Sequence, residues 1–201
     1  MDIDAFILIG GRSERFGSDK AFAEIDGQML AVRAAETVER ALRPKTLRFV
    51  AASEDQFRAD LIFRLGRPVV SDLTPGFGAW SGLHAALSYS STEWTFVLAC
   101  DLPFISTDLI ARLAEITNEE VDAVIPRQPD GRLQPLCGFY RRRTVFAVVE
   151  NTIDGAAALP RLTEISRDIE MKIFDCCEIS DGNQLFANVN STADLPGSGL
   201  I

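Results

Sequence analysis

The 201 residues are 47% apolar, enough to bury the core of one α/β domain and too apolar for a disordered chain. A formal charge of −9 argues against a general nucleic-acid surface, but it permits a local basic loop that holds a nucleotide. No apolar run is long enough to span a membrane, and Met1-Asp2-Ile3-Asp4 lacks the basic start of a signal peptide. None of Cys100, Cys137, Cys176 and Cys177 makes a C-x-x-C pair. A cytoplasmic protein without structural zinc, and without a nucleic-acid or membrane partner, is expected.

The first element is the short apolar run Ala5-Phe6-Ile7-Leu8-Ile9, which reads as a buried strand. It ends at Gly10-Gly11, where the backbone can turn sharply and approach a ligand. Arg12, Arg15 and Lys20 then bring positive charge to a segment whose glycines bare their N–H groups. Such a segment suits a polyphosphate. It is not a P-loop, because Lys20 is followed by Ala21, and it does not fit the dinucleotide fingerprint G-x-G-x-x-G. An ordinary charged surface loop is the competing reading.

Asp26-Gly27 reads as a turn. Leu30, Ala34, Val38, Ala41 and Leu42 have helical spacing, and Pro44 ends that helix. A strand over Leu47 to Ala52, a helix over Glu54 to Leu65 and a short strand at Pro68-Val69-Val70 follow. The last of these leads to Asp72, either a turn residue or a ligand at a strand end. Thr74-Pro75-Gly76-Phe77-Gly78 is a loop, and a helix is expected from about Ser81 to Ser90. The helix carries His84, the only histidine, for which a structural or exposed place rather than a catalytic one is expected. Trp80 either packs in the core or stacks on a ligand ring.

Trp94 to Ala99 reads as a buried strand, with Asp101 at its carboxyl end. There a carboxylate either caps the loop or holds Mg²⁺, which favours one or two carboxylates with phosphate oxygens and water. Ser106 or Thr107 caps the next helix. Asp122 to Ile125 reads as a strand, Pro129-Asp130-Gly131 as a turn, and Gln134 to Tyr140 as a strand or an insertion running antiparallel. A helix near Thr144 to Thr152 and an extended Ile169 to Ile179 follow. A short helix capped at Ser191 or Thr192 closes the pattern.

Alternating strands and helices imply a single three-layer α/β domain over residues 1–201, with a mostly parallel twisted sheet and helices on both faces. Ligands in such sheets sit beyond the carboxyl ends of the strands, where the glycine loop and Asp101 can meet.

The spelling G-G-x-S-x-R-F-G-x-D-K over Gly10 to Lys20 resembles the signature loop of nucleotidyltransferases related to molybdenum cofactor guanylyltransferase, a group with the nucleotide-diphospho-sugar transferase type of fold. Further segments resemble the family in order: Ala99-Cys100-Asp101-Leu102-Pro103-Phe104, Gln134-Pro135-Leu136, and Phe186-Ala187-Asn188-Val189-Asn190 before Ala193-Asp194-Leu195. The likeness spans about residues 4 to 195. Gly78-Ala79-Trp80-Ser81-Gly82 occupies the family's G-P-L-x-G with Pro and Leu replaced, and Ala51-Ala52-Ser53-Glu54 stands where the family often has Asn.

The resemblance implies Mg²⁺-dependent transfer of GMP from GTP to Mo-molybdopterin, with release of pyrophosphate. Arg15, Lys20 and Asp101 are then the catalytic residues, and Asp101 holds the metal. Leu8, Ile9, Gly10, Gly11, Lys20, Ser53, Asp72, Gly78, Gly82 and Asp101 bind the nucleotide. Gln134, Pro135, Asn188 and Asn190 face the second substrate. Other molybdenum cofactor biosynthesis proteins and molybdoenzyme chaperones are the implied protein partners. The alternatives are a cytidylyltransferase acting on the same cofactor with CTP, a sugar-phosphate nucleotidyltransferase, and a non-catalytic nucleotide binder.

Overall fold

A computed structural model describes residues 2–10, 20–53, 64–155, 161–179 and 182–187. Gly11, Arg15, Asn188, Asn190, the helix start at Glu54 and the cap at Ser191 or Thr192 lie outside the described residues.

Seven strands form the main sheet: β1 (Ile3–Leu8), β4 (Thr46–Ala51), β5 (Val69–Ser71), β6 (Trp94–Ala99), β7 (Ala123–Arg127), β8 (Cys137–Arg141) and β9 (Met171–Asp175). Their order is β5-β4-β1-β6-β8-β7-β9, and β8 runs antiparallel to both of its neighbours while the remaining pairs are parallel. The antiparallel reading of Gln134 to Tyr140 therefore holds for its second half. A two-residue hairpin, β2 (Glu24–Ile25) and β3 (Gln28–Met29), turns through Asp26 and Gly27, both at positive φ. Asp-Gly in that conformation is the turn that matches strand twist.

Helices cover both faces. On one side α1 (Leu30–Leu42) and α3 (Thr107–Glu115) bury Ala31, Ala34, Val38, Leu109 and Leu113 against Ala5, Ile7, Phe49, Phe96 and Leu98. On the other side α2 (Ala79–Tyr89) and α4 (Arg142–Gly155) bury Leu83, Ala86, Leu87, Val145 and Val149 against Phe6, Leu8, Val50 and Val97. Because both faces are covered, β1 and β6 are buried at every position and are apolar but for Asp4 and Thr95. Trp80 is 4% exposed and belongs to the second of these cores, which settles its place as packing.

The remaining departures are local. The glycine segment ends in a 3-10 turn, Lys20–Phe22, rather than in a plain loop. Ile169 to Ile179 is extended only over β9, because the Asp175 carboxylate accepts from Cys177 N at 3.1 Å and turns Cys176–Glu178 into a 3-10 helix. A third 3-10 segment, Leu162–Arg167, has no periodic signal in the sequence. Cys100, Cys137 and Cys176 are buried, Cys177 is exposed, and none is in a disulfide.

Candidate active site

The sheet reverses its order of growth at β1. The chain proceeds from β1 outward to β4 and β5, then returns to place β6 on the other side of β1. A crevice opens at such a switch point, beyond the carboxyl ends of the strands. It lies between the segment after β1 and the segment after β6, which hold Gly10 and Asp101.

Backbone hydrogen bonds define this edge. Ile9 N and Gly10 N both donate to Val50 O, at 2.9 and 3.2 Å, so the chain leaving β1 runs against the end of β4. Gly10 has no room for a side chain there, since a Cβ would lie 2.7 Å from Ala52 N. Close backbone approach to Ala52 thus demands the glycine before any ligand does. Ser53, exposed, is the next residue on β4's side. Asp72 N donates to Ala51 O at 2.8 Å, which sets Asp72 beyond β5 on the same edge.

Cys100 N donates to Leu8 O at 3.1 Å and carries the chain across to Asp101. Cys100 and Leu102 are buried at 6% and 2% exposure, while Asp101 between them is half-buried. Arg33 of α1 donates from Nε to Pro103 O at 3.0 Å and ties down the loop that follows. Sequence reasoning missed this support, because an arginine on a helix carries no signal of a loop 70 residues away.

The antiparallel β8 brings its beginning to this edge. Ala99 N donates to Leu136 O at 2.8 Å, and Cys137 N to Gln134 O at 3.1 Å. The buried Tyr140 hydroxyl donates to Pro135 O, and burial raises its pKa far above the usual phenol range, so it stays a donor. Gln134 and Pro135 therefore stand beside the end of β6, on the side away from Asp72.

Asp72, Ser53, Gly10, Asp101 and Gln134 thus come in that order across one edge. Asp72 and Asp101 follow strands three inter-strand spacings apart, about 14 Å, a span suited to an extended nucleoside triphosphate. Gly78 caps the start of α2 with φ 61°, and Gly82 lies one turn further on, where a Cβ would sit 2.8 Å from Leu8 Cδ1. Gly82 lets α2 close onto the end of β1. Lys20 opens the 3-10 turn that follows the glycine segment.

Burial pushes the Asp72 carboxyl above the usual carboxylate range, against hydrogen bonds from the Thr74 and Leu73 backbone and the field of His84. Its Oδ1 is buried without a hydrogen-bond partner. Among the described residues no three or more His, Cys, Asp or Glu side chains cluster as a metal cage. A single carboxylate such as Asp101 would suit Mg²⁺, which favours one or two carboxylates together with phosphate oxygens and water.

The family model described as MobA-like NTP transferase domain matches residues 5–169. A Geobacillus protein named probable molybdenum cofactor guanylyltransferase is 36% identical over 69% of both chains. The molybdenum cofactor guanylyltransferase of Vibrio cholerae is 28% identical across 100% of this chain and 93% of its own length. Among solved structures, molybdopterin-guanine dinucleotide biosynthesis protein A from Archaeoglobus fulgidus superposes with a TM-score of 0.74 at 23% identity, covering 95% of this chain and 94% of that one. The 4-diphosphocytidyl-2C-methyl-D-erythritol synthase of Anaerococcus prevotii has a TM-score of 0.70 at 15% identity, over 96% of this chain and 92% of that one. With the switch-point crevice and the order of polar residues along it, these likenesses identify the chain as a member of the MobA-like NTP transferase family.

Proposed function

We propose that this nucleotidyltransferase moves GMP from GTP to Mo-molybdopterin and releases pyrophosphate, with all 201 residues acting as one unit. The carrying observation is the ordered edge: a nucleoside flank at Ser53 and Asp72, a phosphate centre at Gly10 and Asp101, and an acceptor flank at Gln134 and Pro135. The names of the relatives that span the chain support the same choice of substrates.

A phosphate monoester has its second pKa near ~6, so the acceptor is largely dianionic at neutral pH and needs no general base. The protein's task is then to align acceptor and α-phosphorus and to neutralise charge. The Gly10 N–H is committed to Val50 O, so it is the Gly11 amide that is left to cradle phosphate oxygens, while Arg15 and Lys20 bear on the triphosphate. Leu8 and Ile9 form the floor, and Gly78 and Gly82 bring α2 close to the nucleotide. Asp101 holds Mg²⁺, which supplies the positive charge that offsets charge developing on the transferred group. Gln134 and Pro135, with Asn188 and Asn190 from the carboxyl-terminal segment, shape the acceptor flank. A cytoplasmic place, with access to molybdenum cofactor biosynthesis proteins and molybdoenzyme chaperones, completes the reading.

Calorimetric titration with the Mg²⁺ complexes of GTP, CTP, ATP and UTP tests it, followed by pyrophosphate release in the presence of Mo-molybdopterin. GTP is expected to bind best and to turn over. Preference for CTP would move the assignment to a cytidylyltransferase, and a failure to bind any nucleotide would overturn both.

A further inference from the structure

His84 has no task in the chemistry above, yet it is placed with care. It lies in α2 at 8% exposure, its ring stacked on Phe146 of α4 with centroids 5.5 Å apart. Its Nδ1 shares a hydrogen bond of 3.3 Å with Thr74 Oγ1. Thr74 is fixed once more. Ser81 Oγ, also on α2, donates to Thr74 O at 2.5 Å, and the same hydroxyl accepts from Phe77 N at 3.0 Å. The Thr74 backbone and His84 both lie close enough to the Asp72 carboxylate to favour its charged form.

The loop has little else to hold it. It follows β5, an edge strand of three residues, none of them fully buried. Leu73 and Phe77 are exposed at 47% and 39%, so the loop's own apolar side chains do not anchor it. Asp72 nevertheless keeps Oδ1 buried and without a hydrogen-bond partner, a costly placement that persists only where surrounding contacts impose it. Those contacts run from α2 through Thr74.

We infer that His84 is a positioning residue for nucleobase recognition: through Thr74 it holds the Asp72 carboxylate in the orientation that meets a base edge carrying donors. This rests on the proposed reading that Asp72 faces the nucleoside. Guanine offers a carboxylate two adjacent donors, N1–H and the 2-amino group, whereas hypoxanthine lacks the amino group. The position of Asp72 should therefore set the preference for GTP over ITP. Affinity for the triphosphate, which the glycine segment supplies, should not depend on it.

The test is calorimetric binding of Mg²⁺-GTP and Mg²⁺-ITP to the wild type and to Asp72→Asn, His84→Phe, His84→Asn and Thr74→Val, with melting temperatures for each. Phe keeps a ring to stack on Phe146 but removes the ring nitrogen. Asn loses the ring but sets a polar atom near the place of Nδ1. Val removes only the Thr74 hydroxyl. The wild type should prefer GTP, and Asp72→Asn should abolish the preference. His84→Phe and Thr74→Val should each cut it by about tenfold, the scale of one hydrogen bond to a charged group, with ITP affinity unchanged. His84→Asn should retain most of the preference despite a lower melting temperature. A purely structural His84 would give the opposite pattern, with His84→Phe selective and His84→Asn impaired in proportion to its stability, and would overturn the inference. If Asp72→Asn keeps the wild-type preference, the nucleoside reading of Asp72 fails and the inference falls with it. If Asp72→Asn loses the preference while His84→Phe and Thr74→Val keep it, the inference alone fails.

Discussion

Asp101 illustrates how a single side chain is singled out by its neighbours. Cys100 and Leu102 are buried on either side, and Cys100 N and Ala99 N are both committed to the sheet edge. The backbone is held there while the carboxylate stands half-buried at the switch point. Asp101→Asn keeps the size and removes the charge that would hold Mg²⁺. The expected outcome is a folded protein with a melting temperature close to the wild type and GTP binding that is weaker in Mg²⁺. Pyrophosphate release should fall by at least ~100-fold, the low end for losing an electrostatic stabiliser. Thermal unfolding alongside a pyrophosphate assay decides it: unfolding would make Asp101 a structural cap, and normal turnover would move the metal elsewhere. This position was readable from the sequence because an apolar run ended at a carboxylate before Leu102-Pro103. The support from Arg33 and the tether of Thr74 to His84 were not, since both depend on contacts between segments whose packing no local pattern specifies.

At the scale of elements, legibility followed the strength of the local signal. Helix α1 and strand β6 occupy the residues expected of them, because 3.6-residue spacing closed by Pro44 and a six-residue apolar run are strong signals. Helix α2 begins two residues earlier than expected, at Ala79, with Gly78 at the cap. The opposite edge of the sheet held a feature that the sequence hid within an apolar strand. Asp4, fully buried in β1, accepts from Ser91 N at 2.6 Å, Thr46 Oγ1 at 2.7 Å, Ser91 Oγ at 3.0 Å and Ser90 Oγ at 3.4 Å. It thereby clamps β1, β4 and the α2–β6 connection together. Burial raises its carboxyl pKa, but the Ser91 N–H, the Thr46 and Ser91 hydroxyls and Arg48 outweigh that and bring it below the ordinary value. Asp4→Asn puts a donor where donors already converge and should cost about 1.5–3 kcal/mol in urea unfolding at pH 7. A depressed folded-state pKa gives stability that is present above the unfolded value, near ~3.9, and is lost as pH falls through the folded one. The gap between wild type and variant should therefore narrow below about pH 4. A gap that stayed constant to pH 2.5 would show that the Asp4 charge contributes nothing to the clamp.

Across the whole molecule these features separate the work of holding the sheet from the work of the crevice. Antiparallel β8, inserted between β6 and β7, puts Gln134 and Pro135 beside Asp101, while β4 and β5 carry Ser53 and Asp72 to the other flank. The Asp4 clamp lies at the far end of the same strands. Asp4 pairs with Thr95, and Asp101 is six positions further along the chain, a separation of about 20 Å at strand rise. The partners of Asp4 (Thr46, Ser90, Ser91 and Thr92) all lie at the amino end of the strands, away from Asp101. Sites so far apart and without common partners act independently to within about 0.5 kcal/mol. The double variant Asp4→Asn/Asp101→Asn should therefore lose the sum of the two single-variant stabilities in urea unfolding. Its rate of pyrophosphate release, assayed well below the melting temperature, should equal that of Asp101→Asn alone, and Asp4→Asn by itself should leave turnover and the KM for GTP unchanged. A stability coupling larger than about 1 kcal/mol, or a KM shift in Asp4→Asn, would show that strands β1 and β6 transmit strain from one edge of the sheet to the other.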